Sequence, residues 1–203
     1  MSYIGNLPRT QKGGRIAIAT VSTTSAVSGL AFVDGSDGVV MDNSYDSYEW
    51  HLINLHPDTD NAHVQFQVNA TDDAGGGYDT SPITTTAWNW YNGASKTATF
   101  NYEDGNDQSN DAGYQYILSR RTGNAAKESV SGILRMDNPG STVLSKNFMS
   151  WGVGYHNEDY VLSMNVAGYI SDPTAIDEIN FRFDTGNIES GTIRMYGVKN
   201  DVT

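Results

Sequence analysis

The sequence predicts an all-β protein: an antiparallel, jelly-roll-like β-sandwich of about ten short strands. Apolar residues alternate with polar residues at a period of two, which is typical of strands with one packed and one hydrated face. Gly, Asn, Asp and Pro separate these runs, and no helical period extends beyond about two turns. The clearest region is residues 160–198, where Phe181 and Phe183, and later Ile193 and Met195, alternate with polar neighbours.

Strand-like segments follow one another at near-regular spacing from residue 15 onward. The first half of the chain has predicted strands at residues 15–21, 30–33, 45–55, 62–70, 83–91 and 97–102, and residues 39–41 form a short apolar run. The second half has them at residues 114–122, 128–136, 146–155, 160–170, 176–183 and 192–198. No repeat and no interdomain linker interrupts the series, so residues 15–203 are predicted to form a single sandwich domain.

The first 14 residues differ from the rest. They show no period, and Pro8 and the Gly13-Gly14 pair disfavour both a helix and a central strand. We therefore expect an N-terminal arm over residues 1–14. An arm of this kind is either a frayed tail or a segment that something outside the domain holds in place.

Composition excludes several classes of function. A formal net charge of −12 repels phosphate, which argues against nucleic-acid binding. There is no cysteine, so disulfides and thiolate chemistry are absent. No basic-then-apolar leader is present, and no apolar run approaches the ~20 residues of a membrane span. We expect a protein that folds in a cytosol and does not insert into membranes.

The sequence offers little for catalysis or metal binding. The four histidines match no ligand spacing. Asp104, Asn106 and Gln108 alternate in an acidic loop and are the one calcium candidate, but the loop lacks the Gly at position six and the Glu at position twelve of a helix-flanked calcium loop. No nucleophile elbow or phosphate-binding loop is present. We therefore predict no enzymatic activity and no cofactor.

The most informative local feature is an aromatic cluster. Trp88 and Trp90 are two residues apart in a predicted strand, so their side chains share a face. Together with Tyr91, Trp151 and Tyr155 they are candidates for three roles: core packing, a subunit interface, or stacking against a sugar ring.

Several segments, in this order, resemble a family of virion structural proteins of marine tailed bacteriophages, both tail-fibre-like and decoration-like. The resemblance covers most of the chain. The segments that carry it are residues 1–8 (Met-Ser-Tyr-Ile-Gly-Asn-Leu-Pro), 45–60, 64–68, 131–139 (Ser-Gly-Ile-Leu-Arg-Met-Asp-Asn-Pro), 166–169 and 183–197.

The resemblance implies a non-enzymatic virion component, assembled in the host cytoplasm among other virion proteins. Its expected position is the tail, as a tail fibre or tail-associated protein, with the head as the alternative, as a decoration or head-fibre protein. In related fibre proteins the N-terminal arm attaches to the particle, and that role would fall on Tyr3, Ile4, Leu7 and Pro8. A closed homo-oligomer such as a trimer would bury strand edges and aromatic patches.

A second hypothesis is a carbohydrate-binding adhesin that recognises host glycan through the tryptophans. A glycan-degrading enzyme is the third.

Overall fold

The computed structural model describes residues 14–71, 78, 81–93 and 98–199. This part of the chain forms thirteen strands and one short 3-10 turn, Asp104–Asn106, and has no α-helix. The strands are β1 (Gly14–Thr23), β2 (Leu30–Val33), β3 (Ser47–Pro57), β4 (Val64–Ala70), β5 (Ile83–Gly93), β6 (Ala98–Tyr102), β7 (Ser109–Asp111), β8 (Gln115–Tyr116), β9 (Val130–Asp137), β10 (Lys146–His156), β11 (Tyr160–Ile170), β12 (Ile176–Phe183) and β13 (Ile188–Lys199). None of the described segments is a helix long and apolar enough to cross a membrane.

The strands form two antiparallel sheets. The large sheet has nine strands, in the order β1-β13-β3-β9-β10-β11-β5-β6, and β7 pairs with β5 beside β6. The small sheet has four strands, in the order β2-β12-β4-β8. From β1 to β5, successive strands alternate between the two sheets. The predicted all-β antiparallel sandwich is confirmed.

One hydrophobic core lies between the sheets. Alternate residues of each strand point inward, as the period-two pattern predicts. Aromatic contacts join the two layers: the ring centroids of Phe66 on β4 and Phe148 on β10 are 5.0 Å apart, and those of Trp50 on β3 and Phe181 on β12 are 6.3 Å apart. All four side chains are almost completely buried. The small sheet therefore packs on one face of the large sheet, here called the inner face.

An irregular segment, residues 117–122, covers the inner face beside the small sheet. Its backbone passes over β9 and β10 at glycines: a Cβ added to Gly152 would lie 2.6 Å from Leu118 Cβ. Leu118 itself has a φ of 66°. The glycines let this segment approach the sheet more closely than any side chain would allow.

Two of the predicted strands differ in the structure. The short apolar run at residues 39–41 lies outside the strands, with Val39 and Met41 buried. Residues 114–122 form only the two-residue strand β8, because positive φ at Leu118 and Arg121 breaks the extended backbone. The predicted last strand begins earlier, at Ile188, since β13 continues through two register shifts against β3.

Lys146 anchors the start of β10. It is fully buried, and its Nζ donates hydrogen bonds to the carbonyl oxygens of Ser141, Asp172 and Thr174. Burial lowers the pKa of this lysine. These bonds join the β9–β10 and β11–β12 connections and so fix the register of the strand that carries Trp151.

Candidate binding face

The large sheet has a second face that no described part of the chain covers. We call it the outer face. Strand registry defines its rows: Tyr102, Trp88, Asn165, Trp151, Ile133, His51 and Arg194 lie side by side from β6 across to β13. The next row contains Phe100, Trp90, Ser163, Val153 and Ser131. All of these side chains point away from the core.

Five aromatic residues on this face form what we call the aromatic patch: Trp88, Trp90, Phe100, Tyr102 and Trp151. Four of them are substantially exposed, from 37% for Trp151 to 68% for Phe100, and Trp88 is half-buried. Val153, Val161 and Met149 extend the exposed apolar surface around them. A patch of this kind marks a binding surface more often than an inert one.

A shallow groove runs through the aromatic patch along β11. Strand spacing of about 4.8 Å places Trp88 on β5 about 10 Å from Trp151 on β10, with the smaller side chains of Asn165 and Ser163 between them. Trp90, Trp151, Ser163 and Asn165 all line this groove. The groove therefore has aromatic walls and a polar floor.

The floor of the groove supplies hydrogen-bonding groups. The hydroxyl of Ser163 donates to the carbonyl oxygen of Gly152 at 2.7 Å, which leaves its lone pairs as acceptors. The amide of Asn165 makes no hydrogen bond to any described residue, so both its donor and acceptor groups are available. Amides next to aromatic rings are the combination that binds sugars, which present apolar faces and hydroxyl edges.

The other half of the outer face carries charge. Glu49 on β3 receives hydrogen bonds from Arg15 on β1 and from His51, whose Nε2 lies 2.9 Å from the carboxylate. Burial alone would raise the pKa of Glu49, but these bonds outweigh it and the pKa lies below its usual value. The His51 ring also contacts Tyr196, with centroids 4.7 Å apart. This cluster is held together internally.

The structure brings together four of the five predicted contact residues. Trp88, Trp90, Trp151 and Tyr155 all lie on the outer face. The Tyr155 hydroxyl donates to Asp159 at 2.9 Å, and Lys127 Nζ lies 4.9 Å from the centre of its ring. Tyr91 points to the inner side instead, where its ring lies 5.0 Å from that of Tyr160.

Sequence reasoning missed Phe100 and Tyr102. Both lie on β6, directly opposite Trp90 and Trp88. The alternation of Phe100 and Tyr102 within the predicted strand at residues 97–102 is the signal that identifies them once β6 is known to pair with β5.

The candidate calcium residues are tied into their own loop. Asp104 and Asn106 belong to the 3-10 turn. The Asn106 amide donates to Glu103 at 3.1 Å, and the Gln108 amide donates to the carbonyl oxygens of Gly113 and Tyr114. Across the described ranges, no group of three His, Asp or Glu side chains is placed to hold a metal ion. The predicted arm residues Tyr3, Ile4, Leu7 and Pro8 lie outside the described residues.

Comparison with protein-family models, with curated proteins and with solved structures finds no match to this chain. The outer face is therefore the feature from which function is inferred.

Proposed function

We propose that this protein is a non-enzymatic binding component of a tailed-phage particle, a tail fibre or tail-associated protein, and that its aromatic patch contacts glycan on the host surface. The aromatic patch on an uncovered sheet face is the observation that carries the glycan part of the proposal. The virion setting rests on the resemblance of the ordered sequence segments described above.

The chemistry of the aromatic patch favours sugar over an apolar ligand. Asn165 lies between Trp88 and Trp151, and Ser163 lies beside Trp90, so all three tryptophans have a polar neighbour. A sugar ring needs both surfaces at once, because its C–H face stacks on an aromatic ring while its hydroxyl groups need hydrogen-bonding partners. The groove is open along its length, which suits a chain rather than a small compact ligand.

The second candidate for the aromatic patch is a contact between copies of this chain or with another virion protein. Exposed aromatic side chains are enriched in such interfaces. In a head decoration protein the same tryptophans would then be lattice contacts. This alternative predicts that the patch is covered in the assembled protein and is not free to bind sugar.

Substitution of the tryptophans tests the proposal. Trp88→Ala combined with Trp90→Ala, and Trp151→Ala alone, are each expected to reduce affinity for host surface polysaccharide at least about tenfold, or about 1.4 kcal/mol. Affinity is measured by biolayer interferometry on immobilised protein. Leu144→Ala is the matched control, because Leu144 is an exposed apolar residue in the β9–β10 connection, away from the aromatic patch.

Assembly state separates the two candidates. Light scattering after size-exclusion chromatography gives the oligomeric state of each variant. Lost polysaccharide binding with unchanged oligomeric state supports the glycan role. Dissociation of an oligomer in the tryptophan variants but not in Leu144→Ala would instead assign the aromatic patch to a subunit interface.

A further inference from the structure

Charge is distributed unevenly over the outer face. The outward positions of β10, β11, β5 and β6 carry no charged side chain in the described residues. On the other side of Trp151, the three rows that run through Trp151, Met149 and Asn147 contain three arginines and two carboxylates: Arg15, Arg135 and Arg194 with Glu49 and Asp137. The whole chain has 12 basic and 24 acidic residues, so this flank reverses the balance of the molecule.

Arg135 is the arginine closest to the aromatic patch. It lies opposite Met149 on β10, and Trp151 is two residues further along that strand. Diagonal neighbours of this kind are about 7–8 Å apart, within reach of long side chains. The Nε of Arg135 donates to Asp137 at 3.0 Å. Its remaining guanidinium N–H groups make no hydrogen bond to a described residue, and the side chain is partly exposed.

Arg194 lies on β13, two strands beyond the strand β9 that carries Arg135. It lies opposite His51, in the same row as Trp151. Its side chain is exposed and makes no ion pair within the part of the chain that the structure describes. Arg15 bonds both carboxylate oxygens of Glu49, whereas Arg135 bonds Asp137 through its Nε alone. The guanidinium groups with N–H groups left for a ligand are therefore those of Arg135, beside the aromatic patch, and Arg194, beyond it.

The acidity of the rest of the molecule does not prevent an anion from binding here. At physiological ionic strength the Debye length is about 8 Å, so distant surface carboxylates are largely screened. A guanidinium in direct contact with a carboxylate or sulfate forms charge-assisted, often bidentate, hydrogen bonds. Two carboxylates are not distant, since Asp137 is bonded to Arg135 and Glu49 lies opposite it, but Glu49 is itself bonded to Arg15. Short-range contacts with the free N–H groups of Arg135 and Arg194 therefore decide the outcome.

We infer that the glycan is anionic: a sugar ring stacks on Trp151 while a carboxylate or sulfate group on that ring or the next one pairs with Arg135, and the chain continues toward Arg194. This inference rests on the proposed function, because it names the class of glycan for the same aromatic patch. A neutral glycan would leave these guanidinium groups without a role in binding.

Matched pairs of polysaccharides test the inference. Polygalacturonate and its methyl ester differ in the carboxylate charge and the methyl group that replaces it, and dextran sulfate and dextran differ only in sulfate. At 0.15 M salt, we expect at least one charged member to bind about tenfold or more tightly than its neutral counterpart. Arg135→Gln combined with Arg194→Gln should remove most of that preference. Arg121→Gln is the control, since Arg121 is also exposed but lies on the connection before β9, away from the outer face.

The outcomes separate the inference from the proposed function. The pair that shows the preference identifies carboxylate or sulfate as the anionic group. Equal binding of charged and neutral members, abolished by the tryptophan substitutions, would overturn the inference and leave the glycan role intact. If Arg121→Gln reduces the preference for charged polysaccharide as much as Arg135→Gln combined with Arg194→Gln does, the inference is also overturned. The preference would then reflect general charge attraction and not a binding site. No binding to any polysaccharide, or binding that survives the tryptophan substitutions, would contradict the proposed function itself.

Discussion

At the residue scale, His156 shows how strongly this interior controls a titratable group. The imidazole is fully buried and stacks on Tyr160, with ring centroids 3.9 Å apart. Its Nδ1 accepts a hydrogen bond from the backbone N–H of Glu158 at 3.1 Å, and its Nε2 lies 2.7 Å from the Tyr160 hydroxyl. Burial, reinforced by the charges of Arg121 and Arg120, lowers the pKa of His156 to about 4. The ring is therefore neutral near pH 7.

This buried histidine makes stability depend on pH. The pKa is about 4 in the folded state and about 6.5 in the unfolded chain, so between these values the unfolded state binds more protons. Stability contributed by the neutral ring is thus complete above pH 6.5 and falls as the pH drops toward 4. We expect about 2 kcal/mol less stability at pH 5 than at pH 7 from this residue, measured by urea unfolding.

His156→Phe isolates that contribution. The replacement keeps an aromatic ring on Tyr160 but cannot be protonated, so the loss between pH 7 and pH 5 should shrink by about the same 2 kcal/mol. Circular dichroism at pH 7 checks that the variant is folded. An unchanged pH dependence would show that another group controls stability in this range.

At the element scale, the glycines of β9 and β10 hold the irregular segment 117–122 against the sheet. A Cβ on Gly152 would lie 2.6 Å from Leu118 Cβ and 2.9 Å from the carbonyl oxygen of Ser131. Neither contact can be relieved by rotating a flexible side-chain tip. The fit between this segment and the two glycine-containing strands closes the core next to the small sheet.

Gly152→Ala should therefore be strongly destabilising, by about 2 kcal/mol or more, because overpacking against backbone costs about 1–3 kcal/mol. Thermal unfolding measures the change. Gly105→Ala is the control, since a Cβ there would meet nothing within 4 Å, and it should change stability by less than about 0.5 kcal/mol. Similar destabilisation of both variants would contradict the close approach of Leu118 to β10.

The elements that the sequence predicted well are those with a clear period of two. Phe181, Phe183, Ile193 and Met195 are buried as expected, because alternation alone determines which side chains share a face. The segment at residues 114–122 was predicted as a strand and is mostly irregular. Its backbone turns at Leu118 because it must cross the large sheet, and that is a tertiary constraint that no local pattern records.

At the scale of the whole molecule, the unequal sheets determine the candidate site. Nine strands face four, so the outer face of the large sheet has no cover among the described elements. The sequence predicted that Trp88 and Trp90 share a face, but core and solvent faces have the same period. Which face is open depends on strand order, and so does the neighbourhood of Trp151, which comes from a distant part of the chain.

The charge pattern of the outer face has the same origin. Arg135 and Arg194 are 59 positions apart in sequence, and only the order β13-β3-β9-β10 places both on the flank of the aromatic patch. The sequence showed an acidic chain with few cations. The fold places Arg135 and Arg194 on one side of an uncharged aromatic surface. For this reason we infer that the glycan of the proposed contact is anionic.

The most direct test of the central claim is to observe the tryptophans during ligand binding. The chain has four tryptophans, and nuclear magnetic resonance resolves the indole N–H signal of each one. Titration with the tightest-binding oligosaccharide should shift the signals of Trp88, Trp90 and Trp151, while buried Trp50 serves as the internal reference and stays unchanged. Saturated binding that leaves those three signals in place would contradict a glycan site on the outer face.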